Sequence, residues 1–221
     1  MLFIFDWDGT ILDSAAKIVR CMKLAMEDAG LEVLEAERIE QIIGLGMQEA
    51  TDELFPSASP EQKVDLQQQY SKRFIAADQA PCSFFPGCLD VLTGLRDNNH
   101  LTAVATGKSR RGLDRVLAST GIEHLFDATR CADETASKPD PRMLHELLEE
   151  LSVPAADALM IGDTSFDLTM ARKAGVIPVG VGHGVHSSEQ LIAAGAEYIA
   201  ASYADLSDWL EEHYSVYTGG C

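Results

Sequence analysis

Short runs of apolar residues recur along the chain, and each is only three to six residues long. Such runs are typical of strands buried on both faces of a parallel sheet, because helices cover both faces of such sheets. The last run, near the C-terminus, is the weakest. The predicted strands are Leu2–Phe5, Leu101–Ala105, Ala158–Ile161, Val176–Val181 and Tyr198–Ala200.

Helical periodicity fills the intervals between several of these runs. Apolar residues three and four positions apart place a stripe on one face of each predicted helix, where it packs against a sheet. The alternation of strands and helices favours an α/β fold with a doubly wound, Rossmann-like parallel sheet. The stripes are Leu89, Leu92 and Leu95; Leu113, Val116 and Leu117; and Met143, Leu144, Leu147, Leu148 and Leu151.

The segment from Ser14 to Gln79 interrupts this alternation, since it carries helical stripes and no convincing strand. Its pattern predicts four helices. Pro81 and the Pro86-Gly87 pair are typical of a linker that leads back to the sheet. We therefore predict an all-helical domain inserted into an α/β core. The predicted bounds are residues 1–13 and 83–221 for the core and residues 14–82 for the insertion.

The composition of the 221-residue chain is ordinary for a globular protein, with 46% apolar and 24% charged residues. No apolar run approaches the roughly 20 residues needed to span a bilayer, and the N-terminus has no basic region of a signal peptide. We expect a cytoplasmic protein. The cysteines match no zinc or redox spacing, so we expect free thiols. They are Cys21, Cys82, Cys88, Cys131 and Cys221.

Acidic residues dominate the charge, which is -18 in total. Such a surface repels nucleic acids and anionic membranes, because both attract faces rich in Lys and Arg. We therefore expect neither as a partner. The same charge repels a small phosphorylated substrate, so a phosphate site in this chain requires positive charge of its own.

Asp6 and Asp8 lie two residues apart, directly after the first predicted strand. In open α/β sheets, ligands bind at this end of the strands. Two close carboxylates repel each other, so they either share a proton or hold a cation. With oxygen ligands only, the natural cation is Mg²⁺. The alternative is a pair of turn acids that cap the next helix.

The run Phe5-Asp6-Trp7-Asp8-Gly9-Thr10, followed by Asp13-Ser14, resembles the first motif of the haloacid dehalogenase-like superfamily. Three further motifs of that family follow in its order along the chain. They contain Thr106-Gly107, Ser137-Lys138-Pro139, and Gly162-Asp163 with Asp167. Because all four agree, the chain is identified as a member of the superfamily. The helical insertion then takes the place of the cap in the phosphoglycolate phosphatase-like branch.

The resemblance implies a magnesium-dependent phosphatase that acts on a small phosphorylated metabolite through an aspartyl-phosphate on Asp6. It implies that Asp8 is the general acid and base and also ligates the metal through its main-chain carbonyl, and that Asp167 holds a ligand water. The implied catalytic residues are Asp6, Asp8, Thr106 and Lys138; the implied phosphate-binding residues are Thr106, Gly107 and Lys138; and the implied metal ligands are Asp6, Asp8, Asp163 and Asp167.

Each later motif also has a structural explanation when it is taken alone. Thr106 is a good N-cap residue for a following helix. Lys138 resembles the many lysines that are solvated at protein surfaces, while Pro139 suits the first turn of the next helix. Asp163 suits the cap of a helix.

Within the superfamily, Asp8 argues against dehalogenases and phosphonatases, which lack an acid at this place. β-Phosphoglucomutases use a His and an Arg where this chain has Ile18 and Met47, so a mutase or phosphotransferase is the less favoured alternative. A non-catalytic regulatory member is disfavoured because the motif residues are all present. The turn Ile43–Met47 has no charged side chain to bind a carboxylate, which argues against phosphoglycolate itself. The protein is expected to be a monomer or a homodimer.

Two further groups of residues allow more than one interpretation. A basic cluster in this acidic chain either attracts the phosphorylated substrate or forms the solvated face of a helix. Two histidines lie in a glycine-rich loop, and without a third His nearby a metal site there is disfavoured. These residues are Lys108, Arg110, Arg111 and Arg115, and His183 and His186.

Overall fold

Six parallel strands form one sheet in the order β3-β2-β1-β4-β5-β6. The computed structural model describes residues 1–77 and 82–214. The strand order runs outward in both directions from β1, which confirms the predicted doubly wound α/β fold. The strands are β1 Leu2–Phe5, β2 Leu101–Thr106, β3 Ala128–Cys131, β4 Ala158–Gly162, β5 Ile177–Val181 and β6 Tyr198–Ala200.

Strand β3 was not predicted from the sequence, and its composition explains why. Only its end residues, Ala128 and Cys131, are buried, while Thr129 and Arg130 are half-buried at the edge of the sheet. An edge strand needs no continuous apolar run, because fewer of its side chains enter the core. Arg130 instead forms ion pairs with Glu146 at 3.0 Å and with Glu150 at 2.5 Å.

Ten helices surround the sheet or form the insertion within the described parts of the chain. They are α1 Ala15–Asp28, α2 Ala36–Glu40, α3 Met47–Leu54, α4 Pro60–Ala76, α5 Cys88–Asp97, α6 Arg110–Thr120, α7 Arg142–Leu151, α8 Ser165–Ala174, α9 Ser188–Ala194 and α10 Tyr203–Tyr214.

Strand β1 shows how both faces of the sheet are buried. Phe3 and Phe5 pack into one apolar cluster with residues of α5, α6 and α10, whereas Leu2 and Ile4 pack into another with residues of α7 and α8. Successive side chains of a strand point to opposite faces. Helices on both faces therefore account for the uninterrupted apolar run that predicted β1.

Helices α1 to α4 share an apolar cluster of their own. Met22 and Met26 of α1 contact Ile39 of α2 and Leu66 of α4 there, and all four residues are fully or almost fully buried. This agrees with the four helices predicted for the insertion. The exact bounds of the insertion as a domain stay a prediction. Helix α2 ends at Glu40, so the apolar residues that follow it form a turn.

Pro139 does not lie in the first turn of a helix, so this prediction was wrong. Helix α7 begins at Arg142, directly after Pro141. The Asp140 N–H donates to the Ser137 carbonyl at 3.0 Å, and this bond closes a turn around Pro139 before the helix starts.

No disulfide links the described cysteines, which agrees with the expectation of thiols. They are Cys21, Cys82, Cys88 and Cys131. Cys221 and Pro81 lie outside the described residues. Within residues 1–77 and 82–214, no helix has the length and apolar character that crossing a bilayer requires.

Candidate active site

Three neighbouring strands end at one edge of the sheet, and each carries a predicted site residue there. Asp6 follows β1, Thr106 ends β2, and Asp163 follows β4. Strand β1 pairs with both β2 and β4, so these ends lie side by side. This is the place where the strand order reverses, and the crevice at such a place is the usual ligand site of an open α/β sheet.

Asp6, Asp163 and Asp167, which we call the acid group, are 1%, 0% and 0% exposed. Each offers a carboxylate oxygen, and these oxygens lie within 4.8 Å of one another. The Lys138 ammonium reaches Asp6 Oδ1 at 2.6 Å and Asp167 Oδ1 at 2.7 Å. The structure thus brings together residues that are far apart in the sequence. It places Lys138 in the interior rather than in solvent.

Burial shifts the protonation equilibria of these groups. It raises the pKa of Asp6 well above its usual range, although Lys138 partly offsets the rise. It also raises the pKa of Asp163 to about 7. For Lys138, burial disfavours the charged form, but Asp167 and Asp6 overcome that effect and raise its pKa. One ammonium thus faces three carboxylates, which leaves an excess of buried negative charge.

The acid group has the features of a site for a hard divalent cation. All its ligand atoms are carboxylate oxygens, which Mg²⁺ and Ca²⁺ prefer. Both Asp6 oxygens are buried, and neither accepts a hydrogen bond of ordinary geometry from the described residues, although Oδ1 is in ion-pair contact with Lys138. A cation at this place would satisfy the oxygens and neutralise the excess charge. The residues present therefore fit a divalent metal.

Surrounding groups hold two members of the acid group in place. The Thr10 hydroxyl donates to Asp163 Oδ1 at 2.8 Å, and the Val185 N–H donates to Asp163 Oδ2 at 2.9 Å. The Thr164 hydroxyl and N–H both donate to Asp167 Oδ2, at 2.6 Å and 3.1 Å. Thr164, not Asp163, is the N-cap of α8. Asp163 is consequently not needed as a helix cap, the alternative that its sequence position allowed.

Gly9 allows the first motif to approach the fourth. Its φ is +81°, a conformation that favours glycine, and a Cβ on Gly9 would lie 2.3 Å from Asp163 Oδ2. Any side chain there would displace the carboxylate. The glycine of the first motif thus makes room for the acid of the fourth.

Asp8 lies outside the acid group and has different partners. Lys108 Nζ lies 2.9 Å from both Asp8 carboxylate oxygens, and the Ser14 hydroxyl donates to Oδ1 at 2.7 Å. These contacts fix the orientation of the carboxylate, and Asp8 lines a cavity between the core and the helical insertion. The sequence did not indicate that Lys108 and Ser14 would hold Asp8, because Lys108 is 100 positions away along the chain.

Thr106 is buried at the end of β2 and does not cap the following helix. Ser109 is the N-cap of α6, since its side chain accepts from the Gly112 N–H. The Thr106 hydroxyl accepts from the Lys108 N–H at 3.2 Å. Thr106 and Gly107 line a cavity together with Asp6 and Asp8. The structure therefore favours a role for Thr106 in that cavity over the capping alternative.

Residues Ile43–Met47, which we call the cap turn, reach the site from the helical insertion. A Cβ on Gly107 would lie 2.5 Å from the carbonyl oxygens of both Gly44 and Leu45. The Gly46 N–H donates to the Ser137 hydroxyl at 2.7 Å, one residue before Lys138. The cap turn thus contacts the loops that carry two of the predicted phosphate-binding residues, so it does more than connect two helices.

The predicted basic cluster divides into residues with different environments. Arg110 forms ion pairs with Asp114 at 3.0 Å and Glu134 at 3.7 Å, so it is bound within the protein surface. Arg111 is exposed and lines the cavity, as does Arg115. Arg110 is thus held by carboxylates and is not among the residues that line the cavity.

The two loop histidines are not part of the acid group. The His183 ring packs against Phe85 with centroids 4.1 Å apart. His186 Nδ1 accepts from the Ser165 N–H at 2.9 Å. Burial lowers the pKa of both histidines, which favours their neutral forms. These contacts show the histidines supporting the loops around the site.

Comparisons with known proteins agree with this geometry. A sequence model described as "Haloacid dehalogenase-like hydrolase" matches residues 3–181. The chain is 32% identical over 209 residues to "Probable phosphatase IndB" of Dickeya dadantii, covering 93% of this chain and 91% of that protein. It is 28% identical over 216 residues to a phosphoglycolate phosphatase of Rhodospirillum rubrum, covering 94% of this chain and 89% of that protein. A solved structure of a hydrolase from Pseudomonas syringae superposes with a TM-score of 0.88 at 25% identity, covering 96% of this chain and 99% of that one.

Proposed function

Since the chain belongs to the haloacid dehalogenase-like hydrolase family, we propose that it is a magnesium-dependent phosphatase that acts through a phosphoryl intermediate on Asp6. Phosphatases among its relatives, including a phosphoglycolate phosphatase, support phosphate-ester hydrolysis as the reaction class. The observation that carries the proposal is the state of Asp6. Its buried carboxylate borders the cavity and accepts no ordinary hydrogen bond from the described residues, so an oxygen remains available for attack.

In the first proposed step, an Asp6 carboxylate oxygen attacks phosphorus, and the bond from phosphorus to the leaving oxygen breaks. The leaving oxygen takes a proton from Asp8. In the second step, water attacks the phosphorus of the aspartyl-phosphate and Asp8 accepts the proton of that water. Inorganic phosphate leaves, and both carboxyl groups return to their starting states. Two easier displacements thereby replace one difficult one.

Other residues would bind and orient the phosphoryl group. The Thr106 hydroxyl and the Gly107 N–H would donate to its oxygens, and the Lys138 ammonium would offset its negative charge. Lys138 also holds Asp6 Oδ1 at 2.6 Å, so the same cation orients the nucleophile. This supplies the local positive charge that an acidic chain needs at a phosphate site.

The proposed metal is Mg²⁺, with Asp6, Asp163 and the Asp8 main-chain carbonyl as ligands and Asp167 holding a ligand water. When bound, the ion would allow two anions to approach and would stabilise the charge that develops during transfer. Asp163 is held by Thr10 and Val185, so its orientation does not depend on the ion.

The first alternative within the family is a sugar-phosphate mutase. The two positions at which the sequence comparison expected a mutase to carry His and Arg are Ile18 and Met47, and both line the cavity. Apolar side chains there cannot make polar contacts to a sugar, which supports hydrolysis over isomerisation. Separate measurement of released phosphate and of isomer formation distinguishes the two reactions.

Phosphate release with and without Mg²⁺ tests the proposal. The wild type should release phosphate from phosphomonoesters in Mg²⁺ and lose this activity in a chelator. Asp6→Asn should lower kcat by at least about 1,000-fold, because the nucleophile is removed. Acid quenching during turnover should leave one phosphoryl group on the peptide that contains Asp6.

Asp157→Asn is the matched control, since Asp157 is exposed and lies just before β4, at the end of the strands opposite to the site. It should retain wild-type turnover. Near-normal turnover by Asp6→Asn would overturn the proposed mechanism. We further propose residues 14–82 as the cap domain and residues 1–13 with 83–221 as the catalytic core. The cytoplasmic location and the monomeric or homodimeric state stay predictions.

A further inference from the structure

The helical insertion and the loops of the core line a cavity of about 250 Å³. Asp6, Asp8 and Thr106 lie on its core side, so the cavity is continuous with the proposed phosphate site. The opposite side is the cap wall, by which we mean apolar residues of the insertion. The cap wall comprises Ile18, Ile42, Ile43, Met47, Phe74 and Ile75.

Two residues of the cap wall are buried without belonging to a hydrophobic core. Ile18 and Ile43 are 7% and 2% exposed, yet neither is part of the three apolar clusters of the described residues. Their side chains instead face the cavity. An apolar ligand group placed against these side chains would remove its own apolar surface from water, and that removal favours binding.

The cap wall offers a leaving group few polar partners. Within the described part of the insertion, no carboxylate, side-chain amide, imidazole, Lys or Arg lines the cavity. The polar side chains of this part at the cavity are the hydroxyls of Tyr70 and Ser71. Hydroxyl groups of a sugar that face the cap wall beyond those two would lose hydrogen-bond partners, and each such loss weakens binding. A carboxylate in the cavity would have to approach Lys108, Arg111 or Arg115 of the core side, because the cap wall itself carries no cation. An apolar body meets none of these costs.

Asp8 indicates the direction in which the leaving group must lie. Under the proposed mechanism Asp8 protonates the leaving oxygen, so the leaving group departs on its side. Lys108 Nζ binds both Asp8 oxygens and also lies 4.9 Å from the centre of the Phe74 ring. Asp8 is thereby linked through one ammonium to the cap wall. Under that mechanism the leaving group would occupy the cavity that Asp8 and the cap wall both line.

The cavity volume limits the size of the substrate. An apolar cavity of about 150 Å³ accommodates benzene, so about 250 Å³ holds a phosphoryl group and a body near the size of one ring. Sites for larger, drug-sized ligands span roughly 300–1,000 Å³. The volume therefore favours a small leaving group.

We propose that the substrate is a phosphomonoester of a small apolar alcohol, with a body of about one ring, rather than a sugar phosphate or a phosphorylated carboxylic acid. This inference rests on the proposed phosphatase function, since it names the substrate class of that same site. The apolar body packs against the cap wall while the phosphoryl group lies between Asp6 and Thr106.

Binding of phosphonates, which are not hydrolysed, tests the cap wall separately from catalysis. Calorimetry in Mg²⁺ compares methylphosphonate, benzylphosphonate and phosphonoacetate with the wild-type protein. Benzylphosphonate should bind about tenfold to hundredfold more tightly than methylphosphonate, the factor expected when roughly 60–110 Å² of apolar surface leaves water. Equal affinities, or tightest binding of phosphonoacetate, would overturn the inference.

Turnover provides the second comparison. Phosphate release is measured from 2-phenylethyl phosphate, glycerol 1-phosphate and phosphoglycolate, whose leaving groups are all alkoxides. A kcat/KM highest for 2-phenylethyl phosphate supports the inference. Turnover that favours glycerol 1-phosphate or phosphoglycolate overturns the inference and leaves the phosphatase function in place. Tight benzylphosphonate binding without turnover of any phosphomonoester overturns the phosphatase function and leaves the apolar site in place.

A variant of the cap wall completes the test. Ile18→Asn should weaken benzylphosphonate at least about fivefold and leave methylphosphonate unchanged, because it removes apolar contact with the body alone. Ile18→Leu keeps the apolar contact and should retain the preference. Ile192→Asn is the matched control, since Ile192 is 65% exposed and lies outside the cavity. Unchanged benzylphosphonate affinity in a folded Ile18→Asn protein would contradict the inference.

Discussion

Replacing Lys138 by Met should strongly destabilise the protein in the absence of metal. The Lys138 side chain is fully buried, and its ammonium pairs with Asp6 at 2.6 Å and Asp167 at 2.7 Å. With an effective dielectric constant of about 20, each pair corresponds to about 6 kcal/mol of Coulomb attraction. Removing the lysine also removes the cost of burying its charge. The net loss in free energy of unfolding should be about 3–5 kcal/mol, the range for breaking a buried ion pair.

The size of this loss should depend on pH in a defined direction. Burial raises the pKa of Asp6, and Lys138 opposes that rise. Without Lys138 the pKa of Asp6 rises further, so the folded variant binds more protons than its unfolded chain. Its stability should then fall as pH increases. The difference between variant and wild type should be larger near pH 8 than near pH 5.5, where a protonated carboxyl needs no counter-charge.

Urea unfolding followed by circular dichroism, in a chelator and at both pH values, measures this effect. Lys173→Met is the matched control, because Lys173 is exposed and its ammonium contacts only the Pro139 carbonyl, at 3.1 Å, among the described residues. Its stability should stay within about 0.5 kcal/mol of the wild type. A loss for Lys138→Met below about 1 kcal/mol near pH 8, or an equal loss at both pH values, would refute the reasoning.

Three further predictions follow from other contacts. Arg111→Glu should lower kcat/KM several-fold at about 0.05 M salt and much less at about 0.5 M salt, because Arg111 is an exposed cation at the cavity. An effect that does not depend on salt would contradict a role of Arg111 in attracting the substrate. Thr10→Val removes the hydrogen bond to Asp163 Oδ1 and should raise the Mg²⁺ concentration for half-maximal activity about 10-fold to 100-fold. An unchanged Mg²⁺ dependence of activity would show that this hydrogen bond does not position Asp163 as a metal ligand. Burial raises the pKa values of Cys88 and Cys131 to about 12. Iodoacetamide at neutral pH should therefore label both thiols only after unfolding, which peptide mass spectrometry can measure. Labelling of these thiols in the native protein would contradict their burial.

The fold was largely predictable because its strands are buried on both faces. The apolar runs that predicted β1, β2, β4, β5 and β6 follow from helices on both sides of the sheet. Strand β3 was not predicted, because its middle residues are half-buried at the edge of the sheet. Strand β6 lies at the other edge and is also partly half-buried, but its residues Tyr198–Ala200 are all apolar. A local pattern therefore predicts a strand where its residues are apolar throughout, and Thr129 and Arg130 interrupt that pattern in β3.

The order of four motifs was sufficient to propose the site residues, yet it did not indicate their partners. Lys108 is an example, since the sequence allowed either substrate attraction or a solvated helix face. The structure instead pairs it with Asp8, 100 positions away. Thr10 and Asp163 are 153 positions apart and share a hydrogen bond that no local pattern indicates.

The sequence by itself determined the alternation of strands and helices, the helical insertion and the acids at the strand ends, because these depend on periodicity and local order. Only the tertiary structure decided that Lys138 is buried between Asp6 and Asp167, and that the cap wall is apolar where a leaving group would lie. The physical reason is that burial and pairing depend on strand order and on which loops meet across the sheet edge. The pairing of β1 with both β2 and β4 determines which loops lie next to each other, and this pairing joins segments that are far apart along the chain.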